Sequence, residues 1–87
     1  MHFITGFTFA LAAEVKRFNI RVNSVVPGMI EGGVSKNIPE NLKQDFIAHC
    51  AQGRPARSEE IAKVVCFFAS DKSSYINGQN ILVDGGI

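Results

Sequence analysis

Apolar residues recur along the chain first at helical spacing, then at strand spacing, then at helical spacing twice more, and close on a short strand. Ile4, Phe7, Leu11, Val15 and Phe18 stand three or four residues apart and predict a helix over residues 4–18. Gly6, Ala10 and Ala13 form a second strip of small side chains on that helix. Such a strip fits ordinary packing on a sheet or a close approach at a subunit interface, and the pattern alone leaves both open. Asn19 is the expected stop. The run Ile20–Val26, rich in β-branched residues, predicts a buried parallel strand. Asn23 within it needs a partner, because an unpaired buried amide costs a few kcal/mol, on the order of 2–7.

Pro27-Gly28 must end that strand, since proline has no ladder donor and glycine admits turn dihedrals. Residues 28–38 read as a loop. A short helix follows from Pro39, with Leu42, Phe46, Ile47 and Cys50 on one side. Beside a strand's carboxyl end this helix has the layout of a lid, although an ordinary surface helix gives the same pattern. Gly53-Arg54-Pro55 breaks the chain again. Ser58 is the expected cap of the next helix, with Glu59 and Glu60 in its first turn and Ile61, Val64, Val65, Phe68 and Ala69 on its apolar stripe. Residues 75–79 read as a turn and Asn80–Asp84 as a second strand. The order helix, strand, lid helix, helix, strand contains one βαβ unit. It predicts an α/β fold with two parallel strands and a right-handed crossover.

Composition narrows the function classes. The 87 residues suit one small domain, and 46% hydrophobic with 20% charged residues exclude a disordered chain. A net charge of +1 without a basic stripe points away from nucleic acid. The longest apolar run is too short for a membrane span, and Met1-His2-Phe3 does not open a signal peptide, so a cytoplasmic protein is expected. Cys50 and Cys66 read as two reduced core thiols, with a disulfide as the less favoured alternative. Neither His2 nor His49 has metal-ligand spacing with them, so no metal site is expected.

Four stretches in order carry a family likeness: 5–15, from Thr5 to Val15; 20–28, Ile-Arg-Val-Asn-Ser-Val-Val-Pro-Gly; 58–62, Ser-Glu-Glu-Ile-Ala; and 75–86, with Tyr-Ile-Asn-Gly-Gln and Val-Asp-Gly-Gly. Over essentially its whole length the chain resembles the C-terminal third of a short-chain dehydrogenase/reductase. Within that family it is most similar to the 3-oxoacyl-(acyl-carrier-protein) reductases of fatty acid biosynthesis. The resemblance implies a Rossmann-like doubly wound fold, of which residues 1–87 form a single partial domain. It implies NAD or NADP as cofactor, with Pro27, Gly28, Met29 and Ile30 at the nicotinamide and the Ile30 backbone at its carboxamide. A flat ring of this kind needs an apolar wall and a few polar backbone groups. The threonine that follows this isoleucine in the family falls at Gly32, with Ser35 as the alternative hydroxyl.

Other family features have no counterpart here. No glycine-rich phosphate loop follows a strand, and the catalytic serine, tyrosine and lysine have no match. Met1 stands at the lysine position, and Tyr75 matches a structural turn. No catalytic residue is therefore assigned. The resemblance implies a segment of an NAD(P)-dependent oxidoreductase acting on a carbonyl, alcohol or acyl thioester, inactive alone. The alternatives are a non-catalytic assembly module that keeps the family's subunit contacts, and an enzyme completed by a complementary chain. An apolar strand edge without a neighbour predicts a homo-oligomer or association with such a chain.

Overall fold

The computed structural model describes residues 2–32 and 36–87. Five main elements run in the expected order: α1 (His2–Val15), β1 (Ser24–Pro27), α2 (Glu40–His49), α3 (Ser58–Ala69) and β2 (Asn80–Val83). Short 3-10 turns, Lys16–Phe18 and Asp71–Ser73, close α1 and α3. β1 and β2 pair in parallel, with Ser24 opposite Asn80 and Pro27 opposite Val83. The α/β class and the crossover through α2 and α3 thus agree with the pattern of the sequence. α1 meets β2, and α3 meets β1.

Both strands are shorter than the sequence predicts. β1 begins at Ser24 rather than Ile20, because β2 begins only at Asn80 and leaves residues 20–23 no strand to pair with. Those residues are held by the turn before β2 instead. Val22 donates its N–H to Asn77 Oδ1 and accepts from Gly78 N–H, and Asn23 donates to the Ile76 carbonyl while accepting from Gln79 N–H. The partner that Asn23 requires is this turn. β2 ends at Val83 because Asp84 turns the chain, its carboxylate accepting the Gly86 N–H at 3.0 Å.

α1 buries a different face from the one expected. Thr8 and Ala12 are 3% and 6% exposed, whereas Phe7 and Phe18 of the predicted stripe lie in the open. The reason is non-local. A Cβ on Gly78 would sit 3.6 Å from that of Ala12, so the turn before β2 approaches too closely for a large side chain there. Asn19 stops the helix as expected, in the left-handed conformation at φ 57°.

Three local expectations are also corrected. Ser58 is the first residue of α3 and caps nothing; Arg57 holds the cap position in an extended conformation and gives its N–H to Glu60 Oε1 at 2.8 Å. Pro39 is the cap of α2 rather than its first turn, its carbonyl accepting from Leu42 and Lys43. Cys50 is buried, but Cys66 is an exposed free thiol. Leu42 on α2, with Val65 and Ala69 on α3, also faces outward.

Buried apolar side chains among the described residues are only Ala12 and Cys50. The radius of gyration is 15.2 Å, against about 12 Å for a compact domain of this length. Its apolar faces are therefore largely uncovered.

Candidate functional site: the bend at the carboxyl ends of the strands

The two parallel strands end side by side, and the chain leaves β1 through Gly28 to Ile30. Gly28 N–H continues the ladder to the Val83 carbonyl at 3.0 Å. A side chain there is excluded. A Cβ on Gly28 would lie 2.9 Å from Asp84 Cβ and 3.0 Å from its Cα, with the Phe46 ring at 3.4 Å. Glycine is thus required where β1, the end of β2 and α2 converge.

The next residues are held on one side only. Ala56 N–H donates to the Met29 carbonyl at 2.9 Å, and Glu31 N–H donates to the Ala56 carbonyl at 2.7 Å. This is a single parallel bridge between Ile30 and Ala56. In such a bridge the bonds run from Ala56 to the residues on either side of Ile30, so the Ile30 N–H and C=O point the other way. The bend therefore presents one donor and one acceptor, both on Ile30, next to the half-buried side chains of Met29 and Ile30. A primary carboxamide, with its own acceptor and donor, is complementary to that pair.

The 54–56 strap is fixed in turn. Arg54 grips Glu60 with two parallel bonds of 2.8 and 2.9 Å, a bidentate pair with geometric specificity. The Arg54 guanidinium, with the Arg57 N–H, holds the Glu60 carboxyl down to about 2, and Glu60 pushes Arg54 up. A cleft of about 60 Å³ lies between Met29, Phe46, Arg54, Glu60 and Asp84, far below the 300–1,000 Å³ of ligand pockets.

α2 is tied down at its C-terminal end. Ala51 and Gln52 donate to the carbonyls of Gly86 and Gly85, both at 3.0 Å, and the Cys50 thiol lies 3.3 Å from the Gly85 carbonyl. Gly85 takes φ +70°, and a Cβ there would meet Cys50 Sγ at 2.7 Å. The Val-Asp-Gly-Gly motif is thereby explained: it turns the chain end under α2.

The structure brings Pro27, Gly28, Met29 and Ile30 together at one sheet end. It adds Asp84, Phe46, Ala56, Arg54 and Glu60, which sequence reasoning missed. Arg54 and Glu60, six residues apart across the start of a helix, were the available signal. Gly32 has φ +81° and supplies no side chain; Ser35 and Met1 lie outside the described residues. Tyr75 is fully exposed in the turn before β2. Among the described residues no group of three acidic, His or Cys side chains could hold a metal, and no helix is long and apolar enough to cross a membrane.

Parallel strands joined by a helical crossover, with a glycine bend at their carboxyl ends, define the Rossmann-like doubly wound class. The comparisons narrow it. The family described as Enoyl-(Acyl carrier protein) reductase matches residues 2–87. The 3-oxoacyl-(acyl-carrier-protein) reductase FabG of Chlamydia trachomatis is 48% identical over 84 residues, and that of Thermotoga maritima 42%. Each alignment covers 97% of this chain and 34% of the relative. Meso-2,3-butanediol dehydrogenase of Serratia marcescens is 39% identical over 83 residues, 95% of this chain and 33% of the relative. A double mutant of a Serratia marcescens short-chain dehydrogenase/reductase superposes with a TM-score of 0.87 at 31% identity, covering 95% of this chain and 34% of that one. The chain belongs to the short-chain dehydrogenase/reductase family of oxidoreductases and resembles its FabG branch. It spans about a third of the length of the curated relatives it matches.

Proposed function

We propose that Pro27, Gly28, Met29 and Ile30 form the nicotinamide-side wall of an NAD(P)-dependent reductase of the 3-oxoacyl thioester type. The observation that carries this is the one-sided tethering of the bend: Ala56 takes Met29 O and Glu31 N, and the Ile30 N–H and C=O stay available. Those two groups orient the carboxamide, while Met29 and Ile30 supply the apolar contact that keeps water from one face of the ring. When bound, the cofactor supplies hydride chemistry. This chain's residues position the ring and hold α2 above the bend as a substrate lid. The proton-handling groups come from outside the chain, so it is inactive alone. The expected substrate is a small carbonyl, alcohol or acyl thioester, and the expected location is the cytoplasm.

An assembly module without chemistry is the second reading, and the exposed Phe7, Phe9 and Leu82 favour it. Titrating NADPH into the purified chain separates the two by the cofactor's fluorescence. Nicotinamide binding predicts a saturable signal that Gly28→Val abolishes, since valine would drive Asp84 from the bend. No signal, or an equal signal from the variant, assigns the chain to the assembly reading.

A further inference from the structure

Building on the reading of the bend as a nicotinamide wall, we propose that Glu60 is a positioning residue for it: from the first turn of α3, Glu60 clamps the 54–56 strap, and the strap holds Ile30 in place. The chain of contacts is short. Glu60 Oε1 accepts from the Arg54 guanidinium and from the Arg57 N–H, both at 2.8 Å, and Oε2 accepts a second Arg54 bond at 2.9 Å. Arg54 also donates to the Pro55 carbonyl at 3.1 Å. One carboxylate thus grips the strap from both sides of Ala56.

Both backbone groups of Ala56 are committed to the bend. Its N–H donates to the Met29 carbonyl, and its carbonyl accepts from the Glu31 N–H. The resulting bridge between Ile30 and Ala56 is isolated, outside β1 and β2. An isolated bridge has no adjoining ladder bonds to keep it closed, so its geometry is set by whatever fixes its two segments. Ile30 follows Gly28, whose N–H is still in the β1–β2 ladder. Ala56 has Glu60.

The clamp has a firm base and the right chemistry. α3 meets β1, and Arg21 holds the Phe68 carbonyl near the far end of the helix. Bend and strap are therefore both referred to β1, one through the chain and the other through α3. Two parallel bonds from a planar guanidinium fix orientation as well as distance; a lysine at Arg54 would supply only a point charge. Glu59 carries the same charge in the same turn, but its ion pair is with the Arg57 side chain at 3.4 Å. It is the matched control.

Amide exchange of the chain without ligand tests the clamp. Both side chains of the pair remain partly exposed, so Glu60→Gln should speed exchange of the Glu31 and Ala56 amides by about fivefold, the upper end for an exposed ion pair. The Ser24 and Gly78 amides, at the other end of the sheet, should keep wild-type rates. Arg54→Lys should fall between wild type and Glu60→Gln, and it stands as the second variant should Glu60→Gln fail to fold. Glu59→Gln should leave the Glu31 and Ala56 amides unchanged. Reduced nicotinamide mononucleotide should bind Glu60→Gln more weakly than wild type, because an unclamped bend must be ordered on binding. Unchanged Glu31 and Ala56 rates in Glu60→Gln overturn the proposal, as does faster exchange at every amide alike or an equal response to Glu59→Gln. So does unchanged mononucleotide affinity beside a loosened bridge. A wild type that binds no mononucleotide overturns the nicotinamide reading alone, and the exchange rates then decide the clamp.

Discussion

The two ends of the sheet are built on opposite principles. At the amino end, Arg21 donates to five acceptors: the carbonyls of Phe68, Ser70, Ser73 and Ile76 and the Ser73 hydroxyl, at 2.7–3.2 Å. These include the carbonyls of Phe68 and Ser70 at the end of α3, which the Ser73 hydroxyl also reaches, and Ser73 is 1% exposed. At the carboxyl end, the side-chain bonds brace the 54–60 strap and the Asp84–Gly86 turn rather than the bend itself. Close steric approach at Gly28 sets the bend, and the Ile30 backbone keeps a donor and an acceptor uncommitted. A saturated end anchors the fold, and an unsaturated end is available to a ligand.

The strongest break in that contrast is expected at the anchor. Arg21→Ala removes the charged donor that ties five acceptors together, although the carbonyls among them keep weaker neutral donors. A loss of about 3 kcal/mol or more is expected, since removing one partner of a buried network is costly; urea unfolding with an unchanged slope checks it. Gly28→Ala should cost about 1–3 kcal/mol through the clash with the Asp84 backbone. In that variant the Ala56 and Glu31 amides should also exchange faster, whereas those near Arg21 keep wild-type protection.

The sequence disclosed some of this and concealed the rest for physical reasons. Element order and the bend were legible because hydrophobic spacing and Pro27-Gly28 are local signals. The buried face of α1 was not, because Thr8 and Ala12 belong to neither of its two strips and are chosen by the distant Gly78 turn that packs on Ala12. Arg21 looked like one polar residue on a strand face; its acceptors lie 47–55 residues further along. The cap of α3 was misread because Glu60 reaches back to the Arg57 amide, making Arg57 rather than Ser58 the boundary. The bend's role came from family likeness, while the free Ile30 pair emerges only from the bridge to Ala56.

Smaller effects sharpen the comparison. The Glu60 carboxyl titrates near 2 when folded, below its ordinary 4.5. A lowered value adds stability above the ordinary carboxylate range, and that stability is lost as pH falls from about 4.5 towards 2. Glu60→Gln should flatten this dependence, seen as urea midpoints that change less between pH 6 and about 3. The smallest effect is chemical. A thiol reagent should label exposed Cys66 in the native chain and reach Cys50 only when the Gly85–Gly86 tail is released.

The most direct test of the bend as a nicotinamide wall is the amide spectrum of the chain during titration with reduced nicotinamide mononucleotide. Saturable shifts centred on the Ile30 amide, with the amides around Arg21 unmoved, are the predicted result. Shifts spread over both sheet ends, or none at Ile30, would contradict it.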